Sequence, residues 1–130
     1  MNIALFVLGS PYGSAAHRSA LRYANAAIDS GHRIYRVFFY HEAVSIGNQL
    51  TTPPQDESNL TESWAALAKT HQIELVVCIA SALKRGILDA TEAERYQHSA
   101  HNLHPSFELS GLGQLVDASL NADRVVSFGP

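Results

Sequence analysis

The chain has 130 residues, of which 46% are hydrophobic and 16% charged, and its formal net charge is −3 when its 7 histidines are counted as neutral. This length fits one domain spanning 1–130, and the composition excludes a disordered chain, a nucleic-acid surface rich in Lys and Arg, and a membrane span. The single cysteine excludes an internal disulfide and a cysteine-cluster metal site, and the start lacks the basic segment of a secretory signal, so we expect a reducing cytoplasm.

Strand and helix patterns alternate along the chain. Apolar runs rich in β-branched and aromatic residues predict strands, and apolar residues at helical spacing predict helices. In the first half of the chain we expect a strand over 3–8, a helix over 15–30, a strand over 34–40 and a long polar connection over 41–58. In the second half we expect a helix over 60–70, a strand over 73–80, a short helix over 89–97, a strand over 107–109, a helix capped by Ser110 and a strand over 124–128. Asp89 and Glu92 form a predicted capping box at the start of the short helix. This alternation predicts an α/β fold with a mainly parallel sheet and helices on both faces.

Cys78 is the main candidate for chemistry. It lies near the carboxyl end of the third predicted strand, where reactive groups gather in parallel sheets and where backbone N–H groups of a following helical turn favour a thiolate. Lys84 and Arg85 follow within two turns and could add positive charge, and His41 is the histidine best placed to meet the thiol. The alternative is a structural cysteine, because 76–80 is an apolar run and free cysteines are among the most buried residues. Composition alone favours this structural alternative.

Two other segments are weaker candidates. The turn Gly9–Gly13 precedes a helix and could hold a phosphate, but it lacks the glycine and lysine patterns of known phosphate-binding loops, so a tight strand-to-helix turn is favoured. His98, His101 and His104 are evenly spaced and metal chelation is conceivable. No carboxylate or second cysteine joins them in sequence, so a solvated or interface loop is favoured.

Several segments, taken in their order and spacing over almost the whole chain, resemble the DsrE/TusD family of sulfur-relay proteins (DsrE/F/H-type). The segments that carry the resemblance are Val37–Val44, Asn48–Thr51, Val77–Ala80, Arg85–Ile87, Ser110–Leu115 and Ala122–Val126.

The resemblance implies a fold, an activity and a set of partners. The implied fold is a three-layer α/β/α, DsrE-like domain with about five strands, and the implied activity is a sulfurtransferase without a cofactor. Cys78 matches the family's active cysteine by its position after the third strand, which implies that it accepts sulfur as a persulfide. The implied partners are two related subunits, DsrF/TusC-like and DsrH/TusB-like, in a heterohexamer, and small sulfur-carrier proteins of the TusA and DsrC/TusE types.

The resemblance leaves the end use of the sulfur open between cytoplasmic sulfur oxidation and 2-thiouridine formation in transfer RNA. The loop Thr51–Asp56 and the end of the chain favour the oxidation branch slightly. Two other functions also stay open. A non-catalytic α/β subunit of the same complex would have the fold without sulfur on Cys78, and a nucleotide-binding α/β domain would use the Gly9–Gly13 turn.

Overall fold

The fold is described from a computed structural model that covers residues 1–130. Its elements are β1 (Asn2–Val7), α1 (Ala16–Asp29), β2 (Arg33–Phe39), a 3₁₀-helix (His41–Gly47), α2 (Leu60–His71), β3 (Glu74–Cys78), α3 (Ile79–Lys84), α4 (Ala90–Arg95), β4 (Phe107–Ser110), α5 (Gly113–Asn121) and β5 (Arg124–Phe128). None of the helices combines the length and the apolar character that a bilayer crossing needs. The predicted alternation of strands and helices is confirmed.

The five strands form one sheet in the order β4-β3-β2-β1-β5, and all neighbouring strands are parallel. Crossover connections between parallel strands are right-handed. From β1 to β4 each strand is added toward the same edge of the sheet, so the connecting helices α1 to α4 lie on one face. The connection from β4 to β5 crosses the sheet in the opposite direction, so α5 lies on the other face. The carboxyl ends of all five strands meet at one edge of the sheet, and this edge carries the candidate residues.

His17 is a fully buried polar side chain in the core between the sheet and helices α1 to α4. The indole N–H of Trp64 donates to His17 Nδ1 at 3.2 Å, so Nε2 carries the ring proton and donates to the Gly9 carbonyl oxygen at 2.9 Å. The ring stacks on Phe39 with 5.5 Å between centroids. Burial lowers the pKa of His17 to about 4, so the ring is neutral at pH 7 and both its nitrogens are satisfied.

Arg36 on β2 attaches α5 to the opposite face. Its guanidinium contacts Asp117 at 2.9 Å and Glu74 at 2.6 Å, and it also donates to the carbonyl oxygen of Gln114 at 2.8 Å. The hydrogen bond from Arg36 lowers the pKa of Asp117, and the Tyr35 hydroxyl adds to this. Polar contacts thus add to the packing of Leu115 and Ala118 in holding α5 on the sheet.

The outer side of α5 carries an apolar stripe. Leu112, Val116 and Leu120 recur at every fourth position and are 50%, 57% and 80% exposed, and Ala118 is the only buried residue of the helix. The exposed side chain of Val125 lies on the neighbouring edge strand β5. Large apolar side chains that recur on one helix face are typical of an interaction surface.

Two local predictions at element ends are wrong. The third strand ends at Cys78 rather than at Ala80, because the chain turns directly into α3 at Ile79. Ser110 does not cap α5, because it is still the last residue of β4. The helix begins at Gly113 with no side-chain cap.

The capping box at the start of α4 is only half formed. The Asp89 carboxylate accepts the backbone N–H of Glu92 at 2.8 Å, as predicted. The Glu92 carboxylate does not reach back, since one of its oxygens lies 3.5 Å from Arg95 and the other is buried without a partner.

Candidate functional site

Cys78 stands at the junction of β3 and α3, as the last residue of the strand and the N-cap of the helix. Its neighbour in the sheet is Ser110 at the end of β4. The predicted position at the carboxyl edge is confirmed. Cys78 is free but only 3% exposed in the isolated chain, as the apolar run at 76–80 indicated, whereas a reactive thiol needs access to its partner.

The 3₁₀-helix His41–Gly47 packs over this edge and contacts both β3 and α3. Its apolar residues Ala43, Val44 and Ile46 are fully buried. A Cβ atom at Gly47 would lie 3.4 Å from the Cγ2 atom of Val77, so the helix sits against the residue before Cys78. The prediction of a polar connection over 41–58 is therefore wrong for 41–47, where the apolar residues at 43, 44 and 46 were a signal for this buried helix.

The two cations beyond Cys78 have different surroundings. Arg85 contacts the Glu42 carboxylate at 2.6 Å and donates to the Ser81 carbonyl oxygen at 3.0 Å, so its charge is offset within the chain. The hydrogen bond from Arg85 lowers the pKa of Glu42. Lys84 is exposed and takes part in none of the ion pairs. Lys84 is therefore the cation near the α3 terminus that remains available to a partner.

His41 lies in a separate cleft of about 410 Å³, which it shares with Gly9, Ser10 and Ser14. Its backbone has a positive φ of 52°, and its ring packs edge-on against Tyr40 with 4.7 Å between centroids. Cys78 does not line this cleft. The structure therefore assigns no role at Cys78 to His41.

The Gly9–Gly13 turn has the geometry of a self-contained strand-to-helix turn. The Ser10 hydroxyl accepts the backbone N–H of Gly13 at 3.1 Å, and the Ser14 hydroxyl accepts that of Ala16 at 3.2 Å. These N–H groups are the donors that a phosphate would need at a helix start. A Cβ atom at Gly9 would come within 2.8 Å of the Ala16 Cβ, so glycine is required there by close packing. The interpretation as a tight turn accounts for these contacts.

The histidines of the 98–104 loop contact different parts of the chain. His104 contacts the Glu62 carboxylate at 3.0 Å and accepts the backbone N–H of Ser106 at 3.1 Å. His98 instead lines a groove with Lys84. No group of three or more His, Cys, Asp or Glu side chains is arranged to hold a metal ion.

Comparison with known proteins gives the family. A model of the DsrE/DsrF-like family matches residues 1–128. DsrE of Allochromatium vinosum is 49% identical over 129 residues, which are 99% of this chain and 99% of that protein. The sulfurtransferase TusD of Salmonella enteritidis is 47% identical over 98% of this chain and 100% of its own, and TusD of Pectobacterium carotovorum is 45% identical over 98% and 99%.

A solved structure gives independent support for the fold. The crystal structure of the ychN protein from E. coli superposes with a TM-score of 0.77 over 98% of this chain and 99% of its own, at 24% sequence identity. The match confirms the α/β fold predicted from the sequence. The family model and the curated relatives cover the chain almost from end to end, and the chain therefore belongs to the DsrE/DsrF-like family.

Proposed function

We propose that this chain is a subunit of a cytoplasmic sulfur relay and that Cys78 carries the sulfur as a persulfide. The class of activity follows from the relatives: the chain is a sulfurtransferase, as are TusD proteins that are 47% identical to it over their whole length. One observation supports Cys78 in particular. It is the only cysteine of the chain, and it lies at the carboxyl edge of a parallel sheet, where a strand turns into a helix.

The proposed transfer is a thiol–disulfide type of exchange. The Cys78 thiolate attacks the outer sulfur of a donor persulfide, a new S–S bond forms, and the donor leaves as a thiolate. A carrier thiolate then attacks the outer sulfur on Cys78, and the Cys78 thiolate is the leaving group. No electrons are gained or lost overall, so the exchange requires neither a metal nor an organic cofactor.

Burial of Cys78 has two consequences for this exchange. It shields a persulfide from stray thiols, and it requires a local opening before a carrier can reach the sulfur. The first turn of α3 is suited to such an opening, because the helix has only 6 residues and Ala80 on it is already exposed. We propose that contact with a partner protein displaces this turn.

The direct test is the intact mass of the chain after incubation with a small persulfide donor. We expect a gain of about 32 Da, one sulfur atom, which proteolysis maps to the peptide that contains Cys78. The control is the same protein with its thiol first blocked by iodoacetamide in denaturant and then refolded. Absence of the gain both in the isolated chain and in the chain assembled with its two related subunits would contradict the proposal, and so would an equal gain in the blocked protein.

We also propose that the chain works as one subunit of a heterohexamer with two related subunits. The exposed apolar stripe of α5 supports this, since an isolated chain gains nothing from three large apolar side chains in water. The exchange at Cys78 is the same whether the assembly delivers sulfur for sulfur oxidation or for transfer RNA thiolation, so the proposed mechanism fits either end use.

Disruption of the stripe tests this assembly. A Val116→Gln, Leu120→Gln protein should lose co-purification with the two related subunits, because it removes apolar area that an interface would bury. Leu50→Gln is the matched control, since Leu50 is 69% exposed on the long 41–58 connection. Retained assembly in the α5 variant, or its loss in the Leu50 variant, would place the interface elsewhere.

A second candidate is a non-catalytic subunit with the same fold, and the burial of Cys78 favours it. The mass measurement separates the two, because a non-catalytic subunit gains no sulfur.

A further inference from the structure

A groove with a volume of about 820 Å³ lies at the end of α3 that is remote from Cys78. Its walls come from the α3 terminus and from the segment after α4, and they include Leu83, Lys84, Tyr96 and His98. Tyr96 is 55% exposed, so an aromatic face is available to a ligand. No carboxylate lines the groove.

We propose that this groove binds an acidic, extended segment of the protein that exchanges sulfur with Cys78, and that Lys84 determines its preference for acidic residues. The proposal rests on the function proposed above for Cys78. It is supported by charge: the chain as a whole carries −3, whereas this groove holds a lysine without an ion-pair partner and no acidic side chain. Tyrosine is among the residues enriched at binding hot spots, and a lysine without an ion-pair partner favours an acidic ligand.

The length of α3 gives the spacing at which a partner segment first docks, before the first turn of the helix opens. Cys78 is the N-cap and Lys84 the last of 6 helical residues, so the two lie about 9 Å apart along the helix axis. An extended chain covers that distance in about three residues. Ala80 lies one turn before Lys84 on the exposed side of α3 and is small, which leaves a path along the helix. A partner should therefore carry its acidic residues about three positions from its reactive thiol.

The exchange at the end of this path follows the chemistry given above. The partner thiolate attacks the outer sulfur of the Cys78 persulfide, the new S–S bond forms on the partner, and the Cys78 thiolate leaves. The groove binds the partner segment and positions its thiol, but it supplies no group that forms or breaks a bond.

Binding to a defined peptide tests the groove separately from the sulfur chemistry. The probe is a fluorescein-labelled octapeptide with two aspartates placed three residues before a serine that stands for the reactive cysteine. The protein is the full chain with Cys78→Ser, so no exchange occurs. Fluorescence anisotropy should show binding that weakens with added salt, and a peptide with asparagines in place of the aspartates should bind several-fold more weakly.

Charge reversal of each lysine completes the test. Lys84→Glu should weaken binding of the aspartate peptide about tenfold. Lys69→Glu should leave it within about twofold, because Lys69 is the only other lysine and lies exposed on α2, outside the groove. Equal affinity for both peptides, an unaffected Lys84→Glu protein, or an equal loss in both variants would overturn the groove proposal. The sulfur gain of the wild-type chain is measured without this peptide, so it judges the function of Cys78 independently.

Discussion

A chain with serine in place of Cys78 is expected to gain no sulfur from a persulfide donor. The serine hydroxyl cannot form the S–S bond that holds the transferred atom, and no second cysteine is present to replace it. The mass gain of about 32 Da should therefore vanish completely rather than decline. A Cys78→Ser protein that still gains one sulfur atom would end the assignment of this residue.

The stability of this variant needs a control, because Cys78 is buried. A serine hydroxyl buried without a hydrogen-bond partner costs about 1–3 kcal/mol in the free energy of unfolding. Cys78→Ala introduces no hydroxyl and serves as the second variant. Both proteins should show the circular dichroism spectrum of the wild type and should still co-purify with the related subunits. If both keep sulfur-relay activity in the assembled complex, the chain is a non-catalytic subunit.

The free energy of unfolding is expected to fall by about 3 kcal/mol as the pH drops from 7 to 4, since each pKa unit corresponds to about 1.36 kcal/mol. The cause is His17, whose pKa is lowered from 6.5 in the unfolded chain to about 4 by burial. Between these two values the unfolded chain binds the proton and the folded chain does not. The neutral ring's contribution is thus fully present above pH 6.5 and is lost as the pH approaches 4. Urea unfolding at a series of pH values measures the effect.

His17→Gln should flatten this dependence between pH 6.5 and 4, although it should also lower stability at pH 7 through lost packing against Phe39 and Trp64. His71→Gln is the matched control, because His71 is exposed at the end of α2 and lies outside the core. The carboxylates of Glu42 and Asp117 have pKa values lowered from 4.5 and 3.8, so their contributions are present above these unfolded values and are lost as the pH falls below them. An unchanged slope in the His17 protein would refute the assignment to this ring.

The sequence predicted the architecture well because its signals were local. The apolar run at 3–8 predicted a strand buried on both faces, and the β-branched and aromatic residues at 34–40 predicted a second strand. Alternation with helices then favoured a parallel sheet. Element ends were less certain, since Ile79 and Ala80 continue the apolar run of β3 but belong to a helix. Their conformation depends on how α3 packs, which an apolar run does not encode.

The sequence predicted the position of the candidate site but not the segments of the chain that surround it. Topology alone placed Cys78 at the carboxyl edge, whereas its burial depends on the 3₁₀-helix at 41–47, which comes from a distant part of the chain. The same holds for Arg85, which sequence spacing suggested as a free cation. Its partner Glu42 is 43 positions away in sequence, so the ion pair could not be read from local pattern.

The hydrogen bond between Trp64 and His17 makes the intrinsic fluorescence of the chain a report on its interior. Trp64 is the only tryptophan, is fully buried, and donates its indole N–H to the one ring nitrogen that His17 protonation would convert from acceptor to donor. A change in Trp64 emission on acidification would therefore mark the pH at which this hydrogen bond is lost, before or together with global unfolding. Because no dye is needed, Cys78 stays chemically free, and core stability and sulfur loading can be followed in the same sample.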